Sequence, residues 1–433
     1  MRLINTSTFE LRQEEHSSFV KQGYAILSHR WEREEVELPE YPQHIGSLQQ
    51  DQNLLARPGR FNKIRGACRL ARLRNIQWMW IDTCCIDRAN AVEYSEAVNS
   101  MFRWYRGAKV CFAYLNDVQS APKKQGVDVF RSSNSEHDYS IWFSRGWTLQ
   151  ELLAPQNLEF YDAQWQLIGT KKDLAPALQQ ITRIKTTYLS GEEDFQDACA
   201  AAKMSWQAGR QVSEPEDIAY SMLGLFGITM QPLYGEGAEA SFLRLQSEYM
   251  SKKADETLFA WKMPAEGPGM STRPPKVYGE ILLKEDEWGL LAPSPEWFRY
   301  AGNVTNKPPK RGFVARKHGG FSSLQQGILS PLTVTRGTYA CRIIGAALTG
   351  TLILTIPAGI YLIVECRYTS NRIPLNAWEP NEKGKLKVIH LHLRRKYTSY
   401  VRIKSQEYYL GSGKPAPSWG EKPLLVLQPE ARN

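Results

Sequence analysis

The sequence contains no C-x-x-C pair, and its seven cysteines, Cys68, Cys84, Cys85, Cys111, Cys199, Cys341 and Cys366, are odd in number. Cys84 and Cys85 are adjacent, too close for an ordinary disulfide. The thiols therefore read as reduced, mostly buried apolar groups of a reducing compartment. None of the seven histidines stands at a zinc-ligand spacing from a cysteine, so no metal is expected. The opening MRLINTSTFELRQEE lacks an apolar core and turns acidic early, which argues against a secretory leader. No internal repeat is evident and no nucleic-acid motif is present. A phosphate loop is also missing: around Gly411-Ser412-Gly413-Lys414 the flanking positions are Tyr408 and Pro415.

Long apolar runs are equally scarce. The one exception, Ile343 to Val364, has 22 residues without a charge and passes the length test for a spanning helix. It is rich in Thr and broken at Pro357-Ala358-Gly359, so two strands, TGTLILTI and IYLIVECRY, with a turn between them are the simpler reading. An integral membrane protein is not expected. Negative charge is scarce only in the last third, where residues 301–433 carry 20 Lys and Arg against 6 Asp and Glu, a net of +14. Residues 1–160 carry 20 against 19. Such asymmetry argues for separate modules. The basic end reads as a solvated face, with nucleic acid or anionic lipid as the sharper alternative that no motif supports.

Aromatic and aliphatic residues are abundant, with 13 Trp, 20 Tyr and 15 Phe among 433 positions, enough for two or three globular cores. The first half alternates strand and helix patterns. Strands are expected at 24–29 (YAILSH), 78–84 (WMWIDTC), 110–115 (VCFAYL) and 158–162 (LEFYD), with helices at 62–74, 95–108 and 147–154. That alternation predicts an α/β fold around a doubly wound, mostly parallel sheet of flavodoxin-like type. A helical extension follows at about 195–255. It includes a Ser213-x-x-Glu216 capping box and a helix over roughly 238–252. Residues 263–433 read as a separate basic, all-β domain, and 1–262 as the first module.

In open parallel sheets functional groups gather beyond the carboxyl ends of the strands. Those ends are Ser28-His29-Arg30-Trp31, Thr83-Cys84-Cys85-Ile86-Asp87 and Asn116-Asp117. Asp82 and Asp87 can bind a sugar or cap the next helix, and His29 can be a base or a bonded loop residue. Tyr234-Gly235-Glu236-Gly237 precedes a helix but lacks a dinucleotide spacing, so a plain turn is preferred to a phosphate cradle.

Four stretches taken together resemble the fungal heterokaryon-incompatibility (HET) family: YAILSHRW at 24–31, WIDTCCID at 80–87, WFSRGWTLQELLAP at 142–155 and EDIAYSMLGLFGITMQPLYGEGAEASFLRLQ at 216–246. The resemblance implies a cytoplasmic role in non-self recognition ending in cell death. Its partners would be further copies of the chain or another incompatibility or NLR-type protein. It also implies kinship with TIR domains, several of which cleave NAD at the nicotinamide–ribose bond. NAD would then be a substrate, with no resident cofactor. The TIR stretch S-x-W-C-x-x-E-L is similar to Ser144 through Leu152, with Gly146 inserted and Thr148 where the pattern has Cys. On that alignment Glu151 is the catalytic carboxylate. Beside it, His29, Arg30, Trp31, Asp82, Asp87, Arg145 and Trp147 are candidates for holding the substrate. The residues themselves leave a second reading open, because Thr148-x-x-Glu151 is also a capping box.

Overall fold

A computed structural model describes residues 1–50, 59–119, 125–134, 137–253, 255–264, 276–277, 281–282, 291–306, 339–340, 355–356, 360–365, 372–382, 386–396, 399–403, 409–411 and 423–428. The chain divides into two compact units. The first is Met1–Asp197 with Arg210–Ser213 and Tyr220–Pro232; the second is Ala198–Gly209, Glu214–Ala219 and Leu233–Asn433.

Around the sheet of the first unit the elements run β1 (Arg2–Asn5), β2 (Leu11–Gln13), α1 (His16–Gln22), β3 (Tyr24–His29), α2 (Tyr41–Gln50), α3 (Asn62–Leu73) and β4 (Trp78–Trp80). Then come α4 (Asp82–Cys85), α5 (Ala91–Gly107), β5 (Val110–Tyr114), α6 (Thr148–Leu153), β6 (Leu158–Tyr161), β7 (Leu167–Thr170), α7 (Ala175–Thr182) and α8 (Thr186–Ser190). The seven strands lie in the order β2-β1-β4-β3-β5-β6-β7. The middle four, β4-β3-β5-β6, are parallel. Renumbered along the chain, their order is 2-1-3-4, the start of the flavodoxin-like winding.

The sheet is nevertheless mixed, which corrects the expectation of a mostly parallel one. The N-terminal segment folds into a β1–β2 hairpin that joins β4 antiparallel, and β7 returns antiparallel on β6. The expected strand over 78–84 also stops early. It ends at Trp80, and Asp82–Cys85 turn into one helical turn, α4.

Apolar periodicity explains the layers. All six residues of β3 are buried, as suits a strand covered on both faces. α3 buries Ile64, Ala67, Cys68 and Ala71 along one stripe. Asn90 caps α5 by accepting from the Val92 and Glu93 amides, and the helix buries Val98, Met101, Phe102 and Tyr105. α3 serves the sheet face carrying Tyr114, whose hydroxyl accepts from Asn62. α6 serves the face carrying Ser28. α3 packs so closely that Gly66 leaves no space for a Cβ against the Trp165 ring. The five described cysteines, Cys68, Cys84, Cys85, Cys111 and Cys199, are buried free thiols.

Further along the chain come α9 (Ala200–Gln207), α10 (Asp217–Tyr220), α11 (Leu223–Phe226) and α12 (Gly237–Lys252), with α9 and α12 in the second unit. The expected Ser213-x-x-Glu216 box does not cap a helix. Glu216 Oε1 instead accepts from the Gly235 and Gly237 amides at 2.8 Å each, ahead of α12. The Tyr234–Gly237 turn thus does cradle an anion, one belonging to the chain itself. Apart from Asn381 and Glu382, the described residues from 339 onward lie in strands, six of which form one sheet. Of the apolar run 343–364, only Thr355–Ile356 and Ile360–Val364 lie within the described residues, all in strands. They pair with Tyr339–Ala340 and Pro423–Gln428 rather than with each other. Among the described residues no helix is long and apolar enough to cross a membrane.

Candidate functional site

β3 ends the parallel layer with two polar residues that point to opposite faces, and each organises a separate group of charges. On one face Ser28, fully buried, donates to Glu151 Oε2 of α6 at 2.5 Å and accepts from the Trp142 indole N–H at 2.8 Å. Glu151 is 6% exposed, so its carboxyl is closed off from solvent. Burial pushes its pKa up to about 8, and the nearby Asp82 charge adds to this. The Ser28 and Tyr105 hydrogen bonds and the Arg210 guanidinium pull the other way without overcoming it. Glu151 therefore carries a proton for most of the time at neutral pH.

The capping box at the start of α6 does not form. Thr148 Oγ1 donates to the carbonyls of Trp142 and Arg145, at 2.7 and 2.9 Å, and no side chain caps the first turn. Arg210, itself buried, donates to the Arg145 carbonyl at 2.8 Å and to Thr148 Oγ1 at 3.1 Å. The other end of α6 is held by the buried Lys171 ammonium, which donates to the carbonyls of Leu152 and Pro155. Burial lowers the Lys171 pKa to about 8. The helix that carries Glu151 is thus fastened at both ends by buried cations.

On the other face His29, with a side chain only 1% exposed, lies between two carboxylates. Its Nε2 is 3.6 Å from Glu35 and its Nδ1 3.7 Å from Asp82. Burial would raise the Glu35 pKa, but the nearby His29 imidazole and the Lys63 ammonium outweigh it and hold the carboxyl down at about 2. Lys63 from α3 donates to the Arg30 carbonyl at 2.8 Å and pairs with Glu35 and Glu32. Asp82 Oδ2 accepts the Trp31 indole N–H at 2.6 Å, and the Arg88 guanidinium sits 4.2 Å over the Trp31 ring. The segment after β3 is therefore tied to the strand ends largely through charges. Beside it a cleft of about 760 Å³ opens at the carboxyl ends of β3 and β5.

Of the residues singled out from sequence, His29, Trp31 and Asp82 come together, and Arg30 contributes its carbonyl. Glu151 belongs to the buried group behind them and feels Asp82 electrostatically. The Arg145 guanidinium donates to Ser213, and Trp147, half-buried, occupies the N-cap position of α6. Asp87 accepts from the amides of Ala89 and Asn90 and so shapes the turn into α5. Glu35, Lys63, Tyr105, Trp142 and Arg210 complete the two groups. They come from a loop, two helices, a 3-10 turn and a distant segment, and only their folded positions give them away. Among the described residues no group of three or more His, Cys, Asp or Glu is arranged to hold a metal ion.

Residues 24–139 match the family model described as heterokaryon incompatibility protein (HET). That span takes in β3, α3, β4, α5 and β5 with the strand-end residues His29, Trp31 and Asp82, and ends before Glu151. Over 227 residues the chain is 37% identical to the vegetative incompatibility protein HET-E-1 of Podospora anserina, covering 52% of this chain and 16% of that protein. The chain thus spans about a sixth of that relative's length. No solved structure matches the chain.

Proposed function

We propose that the chain carries a heterokaryon-incompatibility domain and signals cell death on non-self contact by recruiting protein partners rather than by turning over a substrate. The observation that carries this reading is the state of Glu151. A carboxyl that is 6% exposed and largely protonated at neutral pH offers no anion to a cationic sugar intermediate. Partners would be further copies of this chain or another incompatibility protein.

The test is to incubate the purified full chain with NAD over a wide range of protein concentration and to assay free nicotinamide. No release above the blank is expected. In parallel, Glu151→Gln expressed in fungal cells should kill as the parent does. Nicotinamide release that disappears in Glu151→Gln would replace recruitment with catalysis. One feature favours that second reading: Glu151 and Asp82 interact at the end of a parallel sheet, and strongly perturbed carboxyls gather at catalytic sites.

A further inference from the structure

The cleft beside β3 lies where neighbouring strands β3 and β5 send their following helices, α3 and α6, to opposite faces of the sheet, the position at which open α/β sheets take their ligands. Its volume, about 760 Å³, suits a small molecule. It lies on the face opposite to Glu151, so what it binds is independent of the recruitment reading.

The lining discriminates among ligand classes. Three acids, Glu32, Glu34 and Glu35, face three bases, Arg33, Arg60 and Lys63, so the wall has no formal net charge. Two of the bases are already engaged. Lys63 serves the Arg30 carbonyl, Glu32 and Glu35, and Arg60 serves the Glu35 carbonyl and Glu40. A phosphate would meet equal numbers of carboxylates and cations, and a cation would meet the same balance from the other side. Apart from Arg33 and Glu34, whose formal charges offset each other, what remains is a dense set of neutral hydrogen-bonding groups. Gln164 and Gln166 are exposed on the wall, and Asn62 and Asn116 each spend an amide N–H, on the Tyr114 hydroxyl and on Glu32 respectively. Tyr114 lies stacked on Trp165, with centroids 4.4 Å apart, and gives the wall a rigid aromatic edge. Amides and carboxylates beside an aromatic edge answer the donors and acceptors of vicinal hydroxyls and the apolar face of a pyranose ring.

We propose that this cleft binds a neutral, polyhydroxylated small molecule of the sugar type. Saturation-transfer NMR on the full chain, with glucose, N-acetylglucosamine and maltose as probes and inorganic phosphate as competitor, tests it. Saturable transfer to at least one sugar is expected, with the same affinity at low and high ionic strength, because a neutral ligand has no charge to screen. The double variant Gln164→Ala/Gln166→Ala, altered only at exposed positions, should weaken that binding about tenfold. Its thermal midpoint should match that of the parent. The proposal is overturned by silence from all three sugars, by displacement with phosphate, by affinity that falls steeply with salt, or by full binding in the double variant.

Discussion

At the scale of single residues, the buried carboxyl of Glu151 is the most informative group. A protonated glutamic acid and a glutamine are nearly isosteric and both neutral. Glu151→Gln should therefore fold with a stability within about 1 kcal/mol of the parent at neutral pH. Glu151→Ala leaves Ser28 with a donor and no acceptor and opens a cavity among Trp142, Tyr105 and α6, at a cost of about 3 kcal/mol. Urea titrations of the two variants check the pair. A large loss in the Gln variant would mean that the native group is ionised. The residue was legible in sequence as a candidate only through the resemblance of Ser144 through Leu152 to the TIR stretch. Its environment was not, because Ser28 stands 123 positions away.

Elements show the same division between pattern and contact. β3, α3 and β5 could be located from apolar periodicity within a residue or so, since that pattern is a local property of the chain. The β1–β2 hairpin and β7 carry no comparable signal, because a short edge strand takes its identity from the strand it joins. α3 offers a test that separates propensity from packing. In an exposed helix Gly→Ala would stabilise by about 1 kcal/mol. At Gly66 the new Cβ would stand 2.0 Å from the Trp165 ring, itself stacked on Tyr114. Gly66→Ala should therefore destabilise the protein by about 2–3 kcal/mol, read as a lowered urea midpoint. A raised midpoint would show that α3 can lift off the sheet without cost.

For the molecule as a whole, the two faces of β3 impose opposite pH dependences. Glu151 has a folded pKa raised to about 8 from 4.5, so its contribution to stability is fully present below pH 4.5 and is lost as pH rises through 8. Glu35 has a folded pKa lowered to about 2, so its contribution is present above pH 4.5 and is lost as pH falls through 2. Thermal midpoints measured from pH 5 to 9 should fall less steeply in Glu151→Gln than in the parent. Parallel curves would remove Glu151 as the source of the alkaline loss.

By itself the amino-acid sequence determined the α/β alternation, the parallel centre of the sheet, the free thiols of the five described cysteines and the HET resemblance, because each rests on local periodicity, spacing or contiguous motifs. Only the tertiary structure decided that Glu151 turns to Ser28 instead of capping α6. It alone decided that Glu216 fills the turn at Gly235–Gly237, and that Glu35 meets both His29 and Lys63 at a strand end. A carboxylate has several donors within a few residues along the chain and others far away in sequence. Which one it takes is set by desolvation and by the field of groups that folding brings near, and neither is written in its neighbours.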